Sequence, residues 1–405
     1  MAHTGAPASP KRPALEVADI LRERADVYRQ THRLSAQQQR VIEALVNCRT
    51  AALGGFKSQC ARCGAVTIQY ASCRNRHCPK CQTLSQIRWV ERQCADLLDI
   101  GYWHIVFTLP HELNAVAQGN PALVYKLLFK AASRTLLEFG RNPRWLGAEL
   151  GITMVLHTWG QNLGQHIHVH CIVTDGGLSP DGQRWLTPAR KGFLFPTAAL
   201  SKVFRGKYLD FLGAAHRSGE LRLKIAGDDD SHAFECLKTS LQSRDRVAYS
   251  KAPFAGARNV VAYLGRYTHK TAISNHRLVD FDGKQVRFRW RDYADGDKIK
   301  VMRLDADEFI RRFLLHVLPR GFTRLRHYGL LANRYRAQKL GICRELLHQP
   351  APEPRQPETT QEMLLRLTGV DITVCRQCGK GTLRQILVLH PQNQTSAHTM
   401  KTGPP

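Results

Sequence analysis

The nine residues Gln165 to Val173, QHIHVHCIV, constrain this chain more than any other stretch. Histidines alternate with aliphatic residues, a period of two that belongs to a β-strand. As a strand, the stretch sends His166, His168 and His170 to one face and Ile167, Val169, Cys171 and Val173 to the other, where they pack. Neutral imidazoles two residues apart on a rigid strand can grip one divalent ion. The alternative is a strand whose histidines are solvent-facing or hydrogen-bonded.

The neighbouring segments suit a sheet. Trp103 to Pro110 reads as a strand stopped by proline. A helix follows, with Asn120 as its cap and Pro121 in its first turn. Thr153 to Trp159 reads as the next strand, joined to the histidine strand as a hairpin through Gln161-Asn162-Leu163-Gly164. This strand carries His157, which is a third ligand or a packed histidine. Residues 190–250 are basic and mixed, and read as helical. Further on, Asn259 to Lys270 reads as a helix that places Tyr263 and Tyr267 one turn apart on one face. Such a pair serves packing unless a metal site lies opposite.

Twelve cysteines without a secretory leader point to metal ions or buried thiols. Cys60-Ala61-Arg62-Cys63 and Cys78-Pro79-Lys80-Cys81 form two C-x-x-C knuckles with a spacing that closes a tetrahedral zinc site. The expectation is one structural Zn2+ held by Cys60, Cys63, Cys78 and Cys81. Cys73 and His77 are surplus, available to replace a ligand or to complete a second site. A closed four-ligand site implies a folding role rather than chemistry. Cys375-Arg376-Gln377-Cys378 supplies a further knuckle with no second cysteine pair after it. It is either a half-site completed by His390 or His398, or degenerate.

Lys and Arg number 59 against 33 acidic residues, for a formal charge of +26. This excess suits a polyanion, and nucleic acid above an anionic membrane, because no basic amphipathic helix stands apart. No apolar run is long enough to span a bilayer, and a cytoplasmic, nucleoid-associated protein is expected. Val286 to Arg291 alternates arginine with apolar residues, giving a strand with Arg287, Arg289 and Arg291 on one face. Arg320, Arg324, Arg326 and Arg334 follow among Phe322, Tyr328 and Tyr335, and cations beside rings suit single-stranded DNA.

The organisation expected is a disordered start at 1–13, a helical lead-in and zinc-binding domain at 14–100, and a catalytic domain at 101–345. A Pro- and Glu-rich linker and a tail carrying the half knuckle fill 346–405, disordered beyond Pro391.

Four stretches together resemble one family: Ser72–Gln82 (SCRNRHCPKCQ), Gln161–Val173 (QNLGQHIHVHCIV), Tyr263–Leu278 (YLGRYTHKTAISNHRL) and Phe313–Arg334 (FLLHVLPRGFTRLRHYGLLANR). They are similar to the two-tyrosine HUH rolling-circle transposases of bacterial insertion sequences, the insertion sequence ninety-one family. The resemblance runs from about Cys60 to Arg336. It implies an α+β fold: an HUH-endonuclease domain with a central antiparallel sheet, preceded by the helical and zinc-binding domain. In that pattern the HUH pair falls on His168 and His170, with His166 just before it, although the family often has proline where Ile167 stands. The paired nucleophiles fall on Tyr263 and Tyr267, with Arg266 and Lys270 beside them as candidate DNA contacts. Mg2+ or Mn2+ is the implied catalytic ion, distinct from the structural zinc. The implied substrate is single-stranded DNA with hairpin-forming transposon ends, cut through a 5′-phosphotyrosine. A plasmid or phage replication initiator with the same nicking step is one rival. A zinc-dependent DNA-binding protein without catalysis is the other.

Overall fold

The computed structural model describes residues 13–190, 192–221, 223, 230–243, 248–251, 265, 272–353 and 356–392. The chain divides into two compact units, Met1–Cys81 with Pro354–Pro405, and Gln82–Glu353. The first boundary between these units falls immediately after the second cysteine knuckle. The carboxy-terminal segment, expected to be a tail, belongs to the amino-terminal unit. The disorder expected beyond Pro391 falls almost wholly outside the described residues.

The smaller unit opens with two amphipathic helices, α1 (Val17–Thr31) and α2 (Ala36–Val46). Ser35 caps α2 by accepting from the Gln38 amide, while the Gln38 side chain accepts from the Ser35 amide, which satisfies two otherwise orphaned donors. Val17, Ile20 and Leu21 of α1 and Val41, Ile42 and Leu45 of α2 are fully buried. A hairpin follows, β1 (Gly55–Cys60) and β2 (Val66–Tyr70). Its third partner is β12 (Leu383–Leu389), which pairs antiparallel with β1 from Gly55↔Leu389 to Cys60↔Leu383. In the carboxy-terminal segment of this unit, α10 (Thr360–Thr368) also starts with a capping box, Thr359 with Glu362.

The larger unit is built on an antiparallel sheet with the path β11 (Leu325–Gly329), β4 (Glu149–Trp159), β5 (Gln165–Leu178), β3 (Tyr102–Thr108) and β7 (Ala248–Lys251). The short β6 (Trp185–Leu186) pairs with the far end of β5. The histidine strand is therefore the middle of the path. Ile167, Val169, Cys171 and Val173 of β5 share a core with α5 (Pro121–Arg141) and α6 (Thr197–Arg217), through Leu128, Phe129, Phe204 and Leu212. On the opposite face Ile172, Val155 of β4 and Tyr102 of β3 pack with Trp89 of α3 (Gln82–Asp96). A separate antiparallel sheet, β10 (Lys298–Asp305), β9 (Gln285–Asp292) and β8 (Leu278–Phe281), packs on α8 (Ala306–Leu314) through Phe288 and Phe309. Its arginines behave as the alternation predicts. Val286 and Phe288 are buried while Arg287, Arg289 and Arg291 are exposed.

Candidate metal centres

The β4–β5 hairpin builds the first site. Its register sets His157 opposite His168 and Val155 opposite His170. Strand pleating then sends His157, His168 and His170 to the same face, where one nitrogen from each converges within 4.8 Å of the others. His168 Nε2 lies 3.0 Å from His170 Nε2, which lies 3.1 Å from His157 Nδ1. Adjacent ligands of an octahedral ion with bonds of about 2.1 Å are about 3.0 Å apart, so the spacing fits a small divalent cation. His166 does not join them. It is the exposed member of the alternation and contributes its carbonyl oxygen, which accepts from His168 Nδ1 at 2.9 Å. That bond fixes the tautomer of His168 and turns its Nε2 lone pair toward the cluster.

A histidine that sequence reasoning passed over orients His170. His104 of β3 is buried, and its Nε2 lies 2.8 Å from His170 Nδ1, with the rings stacked at 5.0 Å. When His170 Nδ1–H donates to His104, the His170 Nε2 lone pair also faces the cluster. Burial, together with neighbouring imidazoles, pushes the His168 pKa down to about 3 and that of His170 well below its ordinary value. At neutral pH the rings are therefore uncharged, the form that ligates metal. Converging lone pairs in a buried pocket are poorly placed without a cation, and the donor set fits one. His104 sits in an otherwise apolar strand run. Only the strand register brings it diagonal to His170, and nothing local in the sequence gives that register.

Tyr263, Tyr267, Arg266 and Lys270 lie outside the described residues. Gly265, between the two tyrosines in sequence, is helical and buried. A Cβ there would collide with Val90 of α3, the helix whose Trp89 packs on the face of the sheet that carries the histidines. Among the other basic candidates, Arg320 and Arg334 are exposed. Arg326 instead stacks over Phe129 at 4.4 Å and Phe322 at 5.1 Å, a packing role for its guanidinium plane. Arg324 is half-buried, its carbonyl accepting from the Leu156 amide.

The cysteines regroup. The expected set of Cys60, Cys63, Cys78 and Cys81 does not converge. Instead Cys78 and Cys81 meet Cys73 and Cys48, while Cys60 and Cys63 meet Cys375 and Cys378. The hairpin explains the change. Cys60 lies at its turn, whereas β2 runs back until Tyr70 is opposite Gly55. Five residues of strand put the two knuckles roughly 16 Å apart, too far for one ion. Cys73 therefore reaches the open end of the hairpin, where Cys48 follows α2. The sulfurs Cys48–Cys81, Cys48–Cys78 and Cys73–Cys81 are 3.4, 3.6 and 3.6 Å apart. A tetrahedron with Zn–S bonds of about 2.3 Å has edges of about 3.8 Å, so the spacing of the four sulfurs fits a zinc ion. Sulfur–hydrogen bonding from Cys73 and Cys78 brings the Cys48 thiol down to about 6. His77, the other surplus candidate, is buried but turned to Asn75, with Nδ1 3.0 Å from Asn75 Oδ1. Cys48 stands alone in sequence with no partner at knuckle spacing, which is why spacing did not reveal it.

Comparison with known proteins identifies the family. The family model described as "Transposase zinc-binding domain" matches residues 20–109, and one described as "Putative transposase" matches residues 151–339. The chain is 48% identical over 374 residues to "Putative transposase y4qJ" of Sinorhizobium fredii, covering 91% of this chain and 94% of that protein. It is 28% identical over 357 residues to the transposase for insertion sequence element IS801 of Pseudomonas savastanoi pv. phaseolicola, covering 84% and 81%. Among solved structures, the metal-bound conjugative relaxase TrwC in complex with oriT DNA aligns at 13% identity and a TM-score of 0.23, covering 41% of this chain and 70% of that one. A likeness that slight carries no argument.

Proposed function

The chain belongs to the insertion sequence ninety-one family of transposases, and from that premise we propose that it cuts and rejoins single-stranded DNA at the ends of its element. The catalytic ion is Mg2+ or Mn2+, held by His157, His168 and His170. What carries this reading is the three-imidazole pocket, whose ligand nitrogens are already turned inward by the His166 carbonyl and by His104.

A DNA phosphodiester resists attack because the nucleophile meets negative charge. A divalent ion at the imidazoles supplies electrophilic activation of the scissile phosphate and a counter-charge for the transition state. The protein's own part is to hold three neutral nitrogens rigid on two paired strands, so no ligand must be reordered when DNA binds. A tyrosine hydroxyl, from Tyr263 or Tyr267, attacks the phosphorus and loses its proton. The bond from phosphorus to the 3′ oxygen breaks, and that oxygen leaves to become a 3′-hydroxyl. The product is a 5′-phosphotyrosine, which conserves bond energy and lets a strand end reverse the step elsewhere without a nucleotide cofactor. Two tyrosines allow one to hold the donor end while the other cuts a second strand. The +26 charge and the exposed Arg320 and Arg334 favour phosphate contact along the strand.

The test is a denaturing gel of purified protein with single-stranded element-end DNA and Mn2+. A covalent protein–DNA band is expected for the wild type and absent for the double variant Tyr263→Phe, Tyr267→Phe. A band that persists in the double variant removes the tyrosines from the chemistry. DNA binding with no band from the wild type would favour the non-catalytic reading.

A further inference from the structure

We propose that Cys60, Cys63, Cys375 and Cys378 bind a second zinc ion, which fastens the carboxy-terminal segment to the amino-terminal module. The zinc-binding family model spans residues 20–109, so it contains all of the first tetrathiolate set but only half of this one. The other half arrives from more than 300 residues downstream.

The geometry is that of two matched knuckles facing each other. Cys60-Ala61-Arg62-Cys63-Gly64 and Cys375-Arg376-Gln377-Cys378-Gly379 share the pattern C-x-x-C-G. In each, the glycine takes a positive φ, +71° at Gly64 and +66° at Gly379, which an L side chain rarely adopts. Each glycine amide also donates to the carbonyl of the knuckle's first cysteine, at 3.1 Å to Cys60 and 2.9 Å to Cys375. The turns are thus built alike, and each presents two sulfurs on one side. Across the gap, Cys60 Sγ is 3.7 Å from Cys378 Sγ and Cys63 Sγ is 3.8 Å from Cys375 Sγ. These are the edges of a tetrahedron around an ion with bonds of about 2.3 Å, and far longer than a disulfide.

The backbone is arranged for thiolates. The Arg62 amide donates to Cys60 Sγ at 3.4 Å and the Gly381 amide to Cys378 Sγ at 3.3 Å. Gly381 runs so close to the site that a Cβ would strike Cys60 Sγ. The two segments also share backbone bonds: the Ala61 amide donates to the Thr382 carbonyl at 2.9 Å, and β12 continues the pairing along β1. Four soft thiolates in a closed tetrahedron select zinc over the harder ion of the histidine pocket. A metal here closes a loop that contains the whole larger unit, so residues 82–353 are an insertion within one zinc module.

The experiment uses the full chain purified without chelator. Metal analysis should give two zinc equivalents per chain, and Cys375→Ser, Cys378→Ser should retain one. Native alkylation of the wild type gives a readout independent of any variant. Cys63 is exposed and Cys378 partly so, so as free thiols they would react promptly. Bound to zinc, they should be protected until the metal is chelated. One zinc in the wild type, or prompt alkylation of Cys63 in zinc-loaded protein, would overturn the proposal.

Discussion

The imidazole site and the thiolate sites solve the same problem, gathering ligands around an ion, in opposite ways. His157, His168 and His170 come from one hairpin in a sheet with packed residues on both faces. The rings are held by a carbonyl and by His104 before any ion arrives. The sheet of the zinc module is less well covered. Every residue of β2 is exposed, as are most of β12. A unit that buries so little apolar surface in its sheet depends on metal for its fold. The contrast leads to an expectation: an ion at the imidazoles would be a guest in a finished structure, whereas zinc would be part of what finishes the structure around it.

The largest effect that could break this contrast is zinc removal. Stripping the metal, or Cys81→Ser at the first site, should release zinc and unfold the small unit. Hydrogen exchange of β4 and β5 should stay slow. Loss of protection in both regions together would mean the units are not independent. Next, His168→Ala or His170→Ala should lower strand cleavage by on the order of 10²–10³-fold, as for loss of a transition-state charge stabiliser, with zinc content and melting temperature nearly unchanged. A drop in zinc content would instead merge the two kinds of site.

A third prediction probes what holds the imidazole hairpin. His316 is buried; its Nε2–H donates to the Leu163 carbonyl in the hairpin loop at 3.0 Å, and Thr158 Oγ1 is 3.2 Å from Nδ1. Burial lowers its pKa to about 4. The unfolded chain takes up this proton near pH 6.5 and the folded chain only near 4. Stability should therefore be whole above about 6.5 and fall as the pH drops toward 4, by up to about 3 kcal/mol. Urea denaturation of His316→Gln against wild type across that window should show the difference, and identical pH slopes would remove His316 as its source. Smallest, His104→Ala should weaken Mn2+ binding about 10–100-fold without displacing zinc, the usual cost of losing a ligand's orienting partner. Unchanged affinity would leave His104 a packing residue.

Parts of this architecture were legible in the sequence because local geometry dictates them. Alternation in QHIHVHCIV placed His168 and His170 on one face whatever the rest of the chain did. Pairing between distant segments was not legible. Spacing identified Cys60 with Cys63 and Cys78 with Cys81, but only the hairpin register shows that the two knuckles stand at opposite ends. Cys48 has no knuckle partner to flag it, and Cys375 with Cys378 looked like half a site because the other half lay far upstream. The same blindness hid His104, whose neighbour across the sheet is set by strand order. Nor did the sequence show that Arg326 stacks over Phe129, a ring far from it along the chain, as well as over nearby Phe322.

Three imidazoles on paired strands should hold a divalent ion separate from zinc. Titration of Mn2+ into zinc-loaded protein, followed by its paramagnetic resonance signal, tests this directly. The account predicts one bound Mn2+ per chain in the wild type, none at the same concentration in His157→Ala or His170→Ala, and equal zinc in all three. Undiminished Mn2+ binding by both variants would contradict it.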